Sequence, residues 1–516
     1  MKDDATIEKI SGHVAGENAR RGTKNLVYSV LGQAVTILVG MFLPHFIILK
    51  YGSSVNGALN SVNQVFAYFV LLEAGIGAAS LQSLYMPVSG GDSRSISAIM
   101  SATRRYYSRT AKLYLAAIAV FAAVFSAFFT DESVNAVQMA GIIVFSGLGN
   151  VLNFWYQGRY KILMQAEGKK YVISNVQTVT QLLVCAAKLA GIAAGCDIAM
   201  VMFLGFIATM TQTFWYMWYI RRSYGWLDEE AAPDYAAVSK KNAVLVHSLS
   251  QLIFQNTDIL LLTVVSGFKV VSVYSVYKLV VAAVSGVTYQ ISESLTFVLG
   301  QKYASDRAGY EKRIDAFDVF YTAVTHTLFT ITIIMYPSFI DLYTRGASDI
   351  AYADPYLPLL FVAIELLSSW RRAMQNTIDV AGHFQQTAPR SAAEAVVNLT
   401  VSLLLVGRFG MYGVLTGTIV ALLYRTNDII IYANRRLLKR SPVKSYRIYA
   451  AFTAVFAVFF AVSRAVPAAF ASVGWPDFFA KCALCLCVTA AAYSALSFTV
   501  FKEQVRPITE MLRRPR

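Results

Sequence analysis

Fourteen blocks of about 20 mainly apolar residues run through this 516-residue chain, centred near residues 37, 70, 120, 146, 182, 209, 254, 284, 328, 368, 398, 421, 459 and 488. A helix of about 20 residues crosses the roughly 30 Å hydrocarbon layer of a bilayer. There it must satisfy its backbone groups internally, because no water is present to do so. The apolar residues fall in blocks instead of amphipathic stripes, 56% of the chain is hydrophobic and 15% charged, and the mean hydropathy is +0.50. These features predict an all-α polytopic membrane protein of about 14 transmembrane helices. The third, eighth and tenth blocks are long enough to exceed the bilayer.

A formal net charge of +15 would suggest nucleic acid in a soluble protein, so the placement of the 45 Lys and Arg decides its meaning. With the amino terminus inside, the outer segments hold Lys50, Lys269, Arg345, Arg408, Arg464 and Lys481, and five cations, Lys188, Lys278, Arg371, Arg372 and Arg425, lie within spans. The rest fall on inner segments, 2–24, 94–112, 159–170, 221–241, 302–313, 390, 435–447 and 502–516. Cytoplasmic loops carry such an excess of Lys and Arg. The pattern predicts both termini in the cytoplasm, contact with the lipid surface and no nucleic-acid partner. Residues 1–24 are polar and charged, unlike a cleavable signal peptide, so the first span is expected to target the chain.

Sliding the sequence on itself by about 214 residues aligns "NSVNQV" (60–65) with "YSVYKL" (274–279), "AEGKKY" (166–171) with "VAGHFQ" (380–385), and Arg221 and Arg222 with Arg435 and Arg436. Gly52 meets Gly267 at a shift one residue longer. Six spans separate the copies, an even number, so the repeat is parallel. The expected organisation is a cytoplasmic segment (1–24), a first six-helix lobe (25–222), an inter-lobe loop (223–241), a second six-helix lobe (242–440), two additional C-terminal helices (441–501) and a basic cytoplasmic tail (502–516).

The seventh span, "LVHSLSQLIFQNTDILLLTVV" (245–265), carries His247, Gln251, Gln255 and Asp258 at spacings of 4, 4 and 3, so they share one helix face. A polar stripe at membrane depth faces a bundle interior or a wet cavity, because ionisable groups in hydrocarbon cost several kcal/mol. The repeat-equivalent first span sets Gln33 opposite His247. Similar faces occur in span 5 (Gln177, Gln181, Lys188) and span 11 (Ser391, Glu394, Asn398, Ser402). Spans 2, 8 and 10 add Asn56, Asn60, Gln64 and Glu73, then Lys278, Tyr289 and Glu293, then Glu365, Arg371, Arg372, Asn376 and Asp379. Interhelical hydrogen bonding accounts for many such amides and hydroxyls. Charges are harder to hide, so they point to a solvated cavity or to buried pairs; Arg425 and Asp428, three apart, read as a structural pair.

No G-x-x-x-x-G-K-[ST] or H-E-x-x-H occurs, and the outer connections are short, so ATP hydrolysis, metalloprotease chemistry and an outward catalytic loop are disfavoured. Cys482, Cys485 and Cys487 lie inside an apolar span, where packing thiols are expected. No catalytic residue, metal site or cofactor is expected; proton or sodium coupling through His247, Asp258 or Glu293 is open.

The segments "LLEAGIGAASLQSLYMPV" (71–88), "YKILMQAEGKKYVISNV" (160–176), "FQNTDILLL" (254–262), "VSVYSVYKLV" (271–280), "AGHFQQT" (381–387) and "AEAVVNLTVSLLLVGRFGMYGVLTGT" (393–418) together resemble the Wzx-type polysaccharide flippases of the multidrug/oligosaccharidyl-lipid/polysaccharide exporter superfamily. The resemblance implies a two-lobed bundle around a cavity that opens alternately to the two sides. It further implies movement of undecaprenyl-diphosphate-linked oligosaccharide from the inner to the outer leaflet of a bacterial cytoplasmic membrane, beside polysaccharide polymerase machinery. Lys188, Lys278, Arg371 and Arg372 would then line the cavity for the diphosphate. Gln33, Glu73, Gln177, Gln181, His247, Gln251, Asp258, Tyr289, Glu293, Glu365, Glu394 and Asn398 would serve sugar contact, charge balance or coupling. A functional monomer is the default, since one chain holds both lobes. The rivals are a multidrug extruder, a lipid II-like precursor flippase, and a membrane glycosyltransferase or polymerase.

Overall fold

A computed structural model describes residue 28 and residues 31–69, 76–130, 133–236 and 256–506. The protein is an all-helical polytopic membrane protein, with 11 described helices long and apolar enough to cross a bilayer. It divides into two compact units, Met1–Leu252 and Ile253–Arg516.

The first unit contains α1 (Leu31–Tyr51), α2 (Ser53–Phe69), α3 (Ile76–Gly90), α4 (Ser93–Phe128), α5 (Ala136–Leu152), a π-helical turn (Asn153–Gln157), α6 (Gly158–Ala166), α7 (Lys170–Ala193) and α8 (Ile198–Ser223). Helix α8 packs on α5 and α7, and α4 packs on α3 and α5. The second unit contains α9 (Asn256–Ser266), α10 (Phe268–Ser305), α11 (Arg307–Tyr343), α12 (Leu357–Trp370), α13 (Arg372–Val380), α14 (Phe384–Phe409) and α15 (Met411–Tyr432). A second π-helical turn (Ala433–Leu437) leads to α16 (Val443–Ala465), α17 (Pro467–Phe470) and α18 (Trp475–Thr499).

The internal repeat is written into the backbone. Three pairs of left-handed glycines recur at nearly one offset: Gly52 and Gly267, Gly168 and Gly382, and Gly195 and Gly410. Each ends a helix or opens the next in a conformation that side chains resist. Asp92 and Asp306 cap α4 and α11 at equivalent positions, accepting bonds from Ser95 N and Gly309 N. The Ser95 hydroxyl and amide hold the Asp92 carboxyl below its ordinary range. The packing recurs as well, with α4 on α5, α5 on α8 and α7 on α8 matched by α11 on α12, α12 on α15 and α14 on α15. What the second unit adds is α16 and α18, both packed on α11. There His326 is buried among Phe452, Tyr493 and the Thr322 carbonyl.

Two sequence expectations change. The tenth span is not long; α12 is interrupted at Arg371 and resumes as α13, where the first unit has its π turn and α6. The overlong helices are α4, α10 and the ninth-span helix α11, with 36, 38 and 37 residues. At 1.5 Å per residue each is roughly 55 Å long. The basic segments 94–112 and 302–313, expected from the sequence on the inner side, are therefore largely helical continuations of these long helices.

The segment after α8 lies on the α4 extension. Glu229 pairs with Arg104 at 3.2 Å and Arg159 at 3.5 Å and accepts the Tyr160 hydroxyl. Asp228 N donates to Ser97 Oγ, and Asp234 N to the Ala98 carbonyl, each at 3.2 Å. The segment after α15 lies on the α11 extension, where Asp315 holds Arg440 at 2.5 Å and also Lys444, while Tyr449 donates to buried Asp318. By the repeat, Ser101 and Arg104 correspond to Asp315 and Asp318. The clamp recurs with its charges exchanged.

Glu229→Gln keeps the shape of the first clamp but removes the charge facing Arg104 and Arg159. The pair is partly exposed, so a loss of about 1 kcal/mol is expected. Hydrogen exchange of 224–236 should rise several-fold while that of α5 and α8 stays unchanged; equal protection would remove Glu229 from the clamp.

Candidate functional site

In the first unit, α1, α2, α5, α7 and α8 enclose a cavity of about 270 Å³. The apolar residues Leu43, Ile47, Leu59, Phe145, Met202 and Phe206 form part of its wall. The polar part is Asn56, Asn60 and Asn63 from α2, Ser146 from α5, Lys188 from α7 and Thr209 from α8. Among the described residues no carboxylate lines it. The asparagines follow one helix face at spacings of 4 and 3. Asn56 is buried and its carbonyl accepts Asn60 Nδ2 at 2.8 Å. Asn63, exposed, is a further lining residue beyond those named from the sequence, and it shares their face by the same spacing.

Lys188 is the cation of this cavity. It makes no hydrogen bond or ion pair with a described residue, and its aliphatic stem lies over Gly205 of α8. A second cation, Lys161, had been read as part of an inner loop; it sits on α6 against Asn153 Oδ1 at 2.7 Å and Gln157 Oε1 at 3.1 Å. Gln157 in turn donates to Thr213.

The other first-unit candidates separate. Gln181 meets the Thr36 hydroxyl at 2.9 Å and so joins α7 to α1. Gln177 is exposed and Gln33 half-buried, and neither lines the cavity. Glu73, His247 and Gln251 lie outside the described residues.

The second unit resolves its charges mostly by pairing. Arg371, expected as open cavity lining, is instead bound to Glu394 at 2.7 Å. Glu394 also approaches Arg425 at 3.6 Å, and Arg425 pairs with Asp428 at 2.6 Å, as its spacing suggested. Asp428 then reaches Arg390 at 2.5 Å. Arg372 makes no such pair with a described residue and lies 4.9 Å over the half-exposed Tyr289 ring. Glu293 is exposed nearby, one helical turn from Tyr289.

A further group surrounds Asp258 on α9. Asp258 Oδ2 accepts Tyr274 at 2.8 Å and Thr418 at 3.3 Å, and Asn398 Nδ2 donates to Thr418 at 2.9 Å. Asp258 Oδ1 and Asn398 Oδ1 are buried without a hydrogen-bond partner among the described residues. Lys278 interacts electrostatically with both Asp258 and Glu365, and Glu365 accepts Ser285 at 2.6 Å. Among the described residues no cluster of three or more His, Cys, Asp or Glu could hold a metal.

Glu394→Gln leaves Arg371 and Arg425 sharing one carboxylate fewer in a largely buried place. Breaking such a pair from one side costs about 3–5 kcal/mol, so the detergent-solubilised variant should melt several degrees lower. Wild-type melting would show that the chain of charges carries no stability.

No protein-family model and no curated protein matches the chain. Its fold does match solved structures. The lipid II flippase MurJ in its inward closed conformation superposes with a TM-score of 0.70 at 10% identity, over 92% of this chain and 99% of that one. A multidrug resistance MATE family transporter of the MOP superfamily, inward-facing, gives 0.59 at 12%, over 78% and 94%. A MOP superfamily transporter from Pyrococcus furiosus, described as having a binding pocket of reverse polarity, gives 0.56 at 13%, over 82% and 97%. The chain therefore has the polytopic fold of these transporters.

Proposed function

We propose that the protein is a flippase for a polyprenyl-diphosphate-linked saccharide, moving it between leaflets by alternating access. The observation that carries the reading is the cavity holding Lys188, three asparagines and no described carboxylate. A diphosphate stripped of water needs compensating donors, and an ammonium beside neutral amides supplies charge for phosphate and hydrogen bonds for hydroxyls. A cationic drug would meet the wrong sign of charge there. The fold shared with a lipid II flippase supports a lipid-linked cargo as well. Undecaprenyl-diphosphate oligosaccharide for surface polysaccharide, in a bacterial cytoplasmic membrane, is the cargo the sequence resemblance favours.

The driving force assigned here is uptake of a proton or Na⁺ at the Asp258 and Asn398 oxygens. A cation bound there would weaken the hold of Asp258 on Lys278. The second unit thereby gains two charge states, the requirement for coupling a gradient to a conformational equilibrium.

Deleting the gene should make lipid-linked saccharide accumulate on the cytoplasmic side and abolish surface glycan. Complementation by Lys188→Ala should fall by about 10- to 100-fold, the worth of a charged hydrogen bond of about 1.5–3 kcal/mol, with partial recovery in Lys188→Arg. Unchanged lipid-linked saccharide with altered sensitivity to cationic drugs would overturn the reading. In proteoliposomes Asp258→Asn should abolish stimulation by an imposed proton or Na⁺ gradient while leaving gradient-free flipping within twofold; retained stimulation removes Asp258 from coupling.

A further inference from the structure

The first unit's cavity contains more than a cation, and its geometry separates two roles. A Cβ built on Gly205 would come within 2.5 Å of Lys188 Cε, 3.2 Å of Cγ and 3.4 Å of Cδ. These three nearest atoms are all side chain and all belong to Lys188. The matching helix pair of the second unit behaves differently. A Cβ on Gly417 of α15 would meet Ser402 Oγ at 2.2 Å, and also the Ser402 backbone N at 2.8 Å and Cα at 3.0 Å. Gly417 lets two backbones approach. Gly205 makes a groove for the stem of one lysine.

The remaining polar wall is neutral. Asn56, Asn60 and Asn63 present a row of amides along α2, and the Ser146 Oγ across from them is buried without a hydrogen-bond partner among the described residues. Amides and a hydroxyl both donate and accept, as sugar hydroxyls do. The volume of about 270 Å³ falls just below that of small-molecule sites, which start at about 300 Å³. It has room for one sugar-sized group.

We infer that this cavity is a monosaccharide subsite adjoining a phosphate position at Lys188, with Gly205 a positioning residue that fixes the ammonium between them. Asn60, Asn63 and Ser146 read the sugar; Lys188 reads the charge. The inference rests on the flippase reading above and names which part of the cargo the first unit recognises.

The test uses the full-length protein in liposomes with two fluorescent probes, a polyprenyl diphosphate bearing one hexose and the same lipid without sugar. Wild type should flip the sugar-bearing probe at least fivefold faster. Asn60→Leu with Asn63→Leu should bring the two rates within twofold of each other by slowing only the sugar-bearing probe. Gly205→Ala should slow both about tenfold, as Lys188→Ala does, although the fold survives because a flexible stem can swing away from the new methyl. Mass-spectrometric acylation of Lys188 supplies an independent reading. Inorganic pyrophosphate should protect Lys188 at least threefold in wild type and in the double Leu variant, and not in Gly205→Ala.

An unchanged rate ratio in the double Leu variant overturns the sugar subsite, and retained protection in Gly205→Ala overturns the positioning role. Failure of wild type to flip either probe overturns the flippase reading and the inference with it. Wild-type flipping that survives Lys188→Ala, with sugar preference still lost in the double Leu variant, removes the phosphate role and leaves the sugar subsite.

Discussion

A charge carried into hydrocarbon must find an opposite charge or water, since the effective penalty of leaving it bare is several kcal/mol. The two units meet this constraint in opposite ways. In the second, Arg371, Glu394, Arg425, Asp428 and Arg390 form a continuous chain of ion pairs across α12, α14 and α15. Each of its three arginines lies against one of its two carboxylates, and the pairs tie the helices together. In the first, Lys188 has no such pair among described residues and borders a cavity of about 270 Å³. That cation is available to something that enters.

The repeat makes the contrast informative, because both units start from the same helix arrangement. Lys188 and Ser402 occupy equivalent positions, each over a glycine of the neighbouring helix. With serine there, α14 and α15 approach backbone to backbone, and buried oxygen acceptors gather around Thr418. With lysine there, the corresponding crossing holds a four-carbon stem and opens toward a cavity. The residue at this shared crossing thus decides whether the two helices meet backbone to backbone or leave room for a cation beside a cavity.

Much of this was legible from spacing, and the failures share a cause. Apolar blocks and alternating basic segments gave the membrane fold, and the offset near 214 anticipated the paired glycines, because both are properties of local sequence. Helical periodicity also located polar faces, including Lys188 and Asn398. It could not say that Arg371 would pair with Glu394, 23 residues away on another helix, since partners across a bundle leave no local signal. Gly205 was silent for the same reason: its significance is the lysine stem resting on it. The long extensions of α4 and α11 left no signal of their own because a charged helical continuation has the composition of a loop. Asn63 alone had a readable signal, its place on the face of Asn56 and Asn60.

The paired clamps show how a duplicated chain avoids confusing its halves. In each unit the segment leaving the sixth helix must return to the extension of the third, and the two extensions descend from equivalent positions. Were their charges alike, either segment could dock on either extension during folding. The charges are instead exchanged: Glu229 seeks Arg104 and Arg159, while Arg440 and Lys444 seek Asp315. A misdocked Glu229 would meet Asp315 and Asp318, and Arg440 would meet Arg104. Like-charge contacts penalise the wrong pairing as much as opposite charges reward the right one. Surface pairs add little stability singly, yet here their signs select which segment each unit can hold.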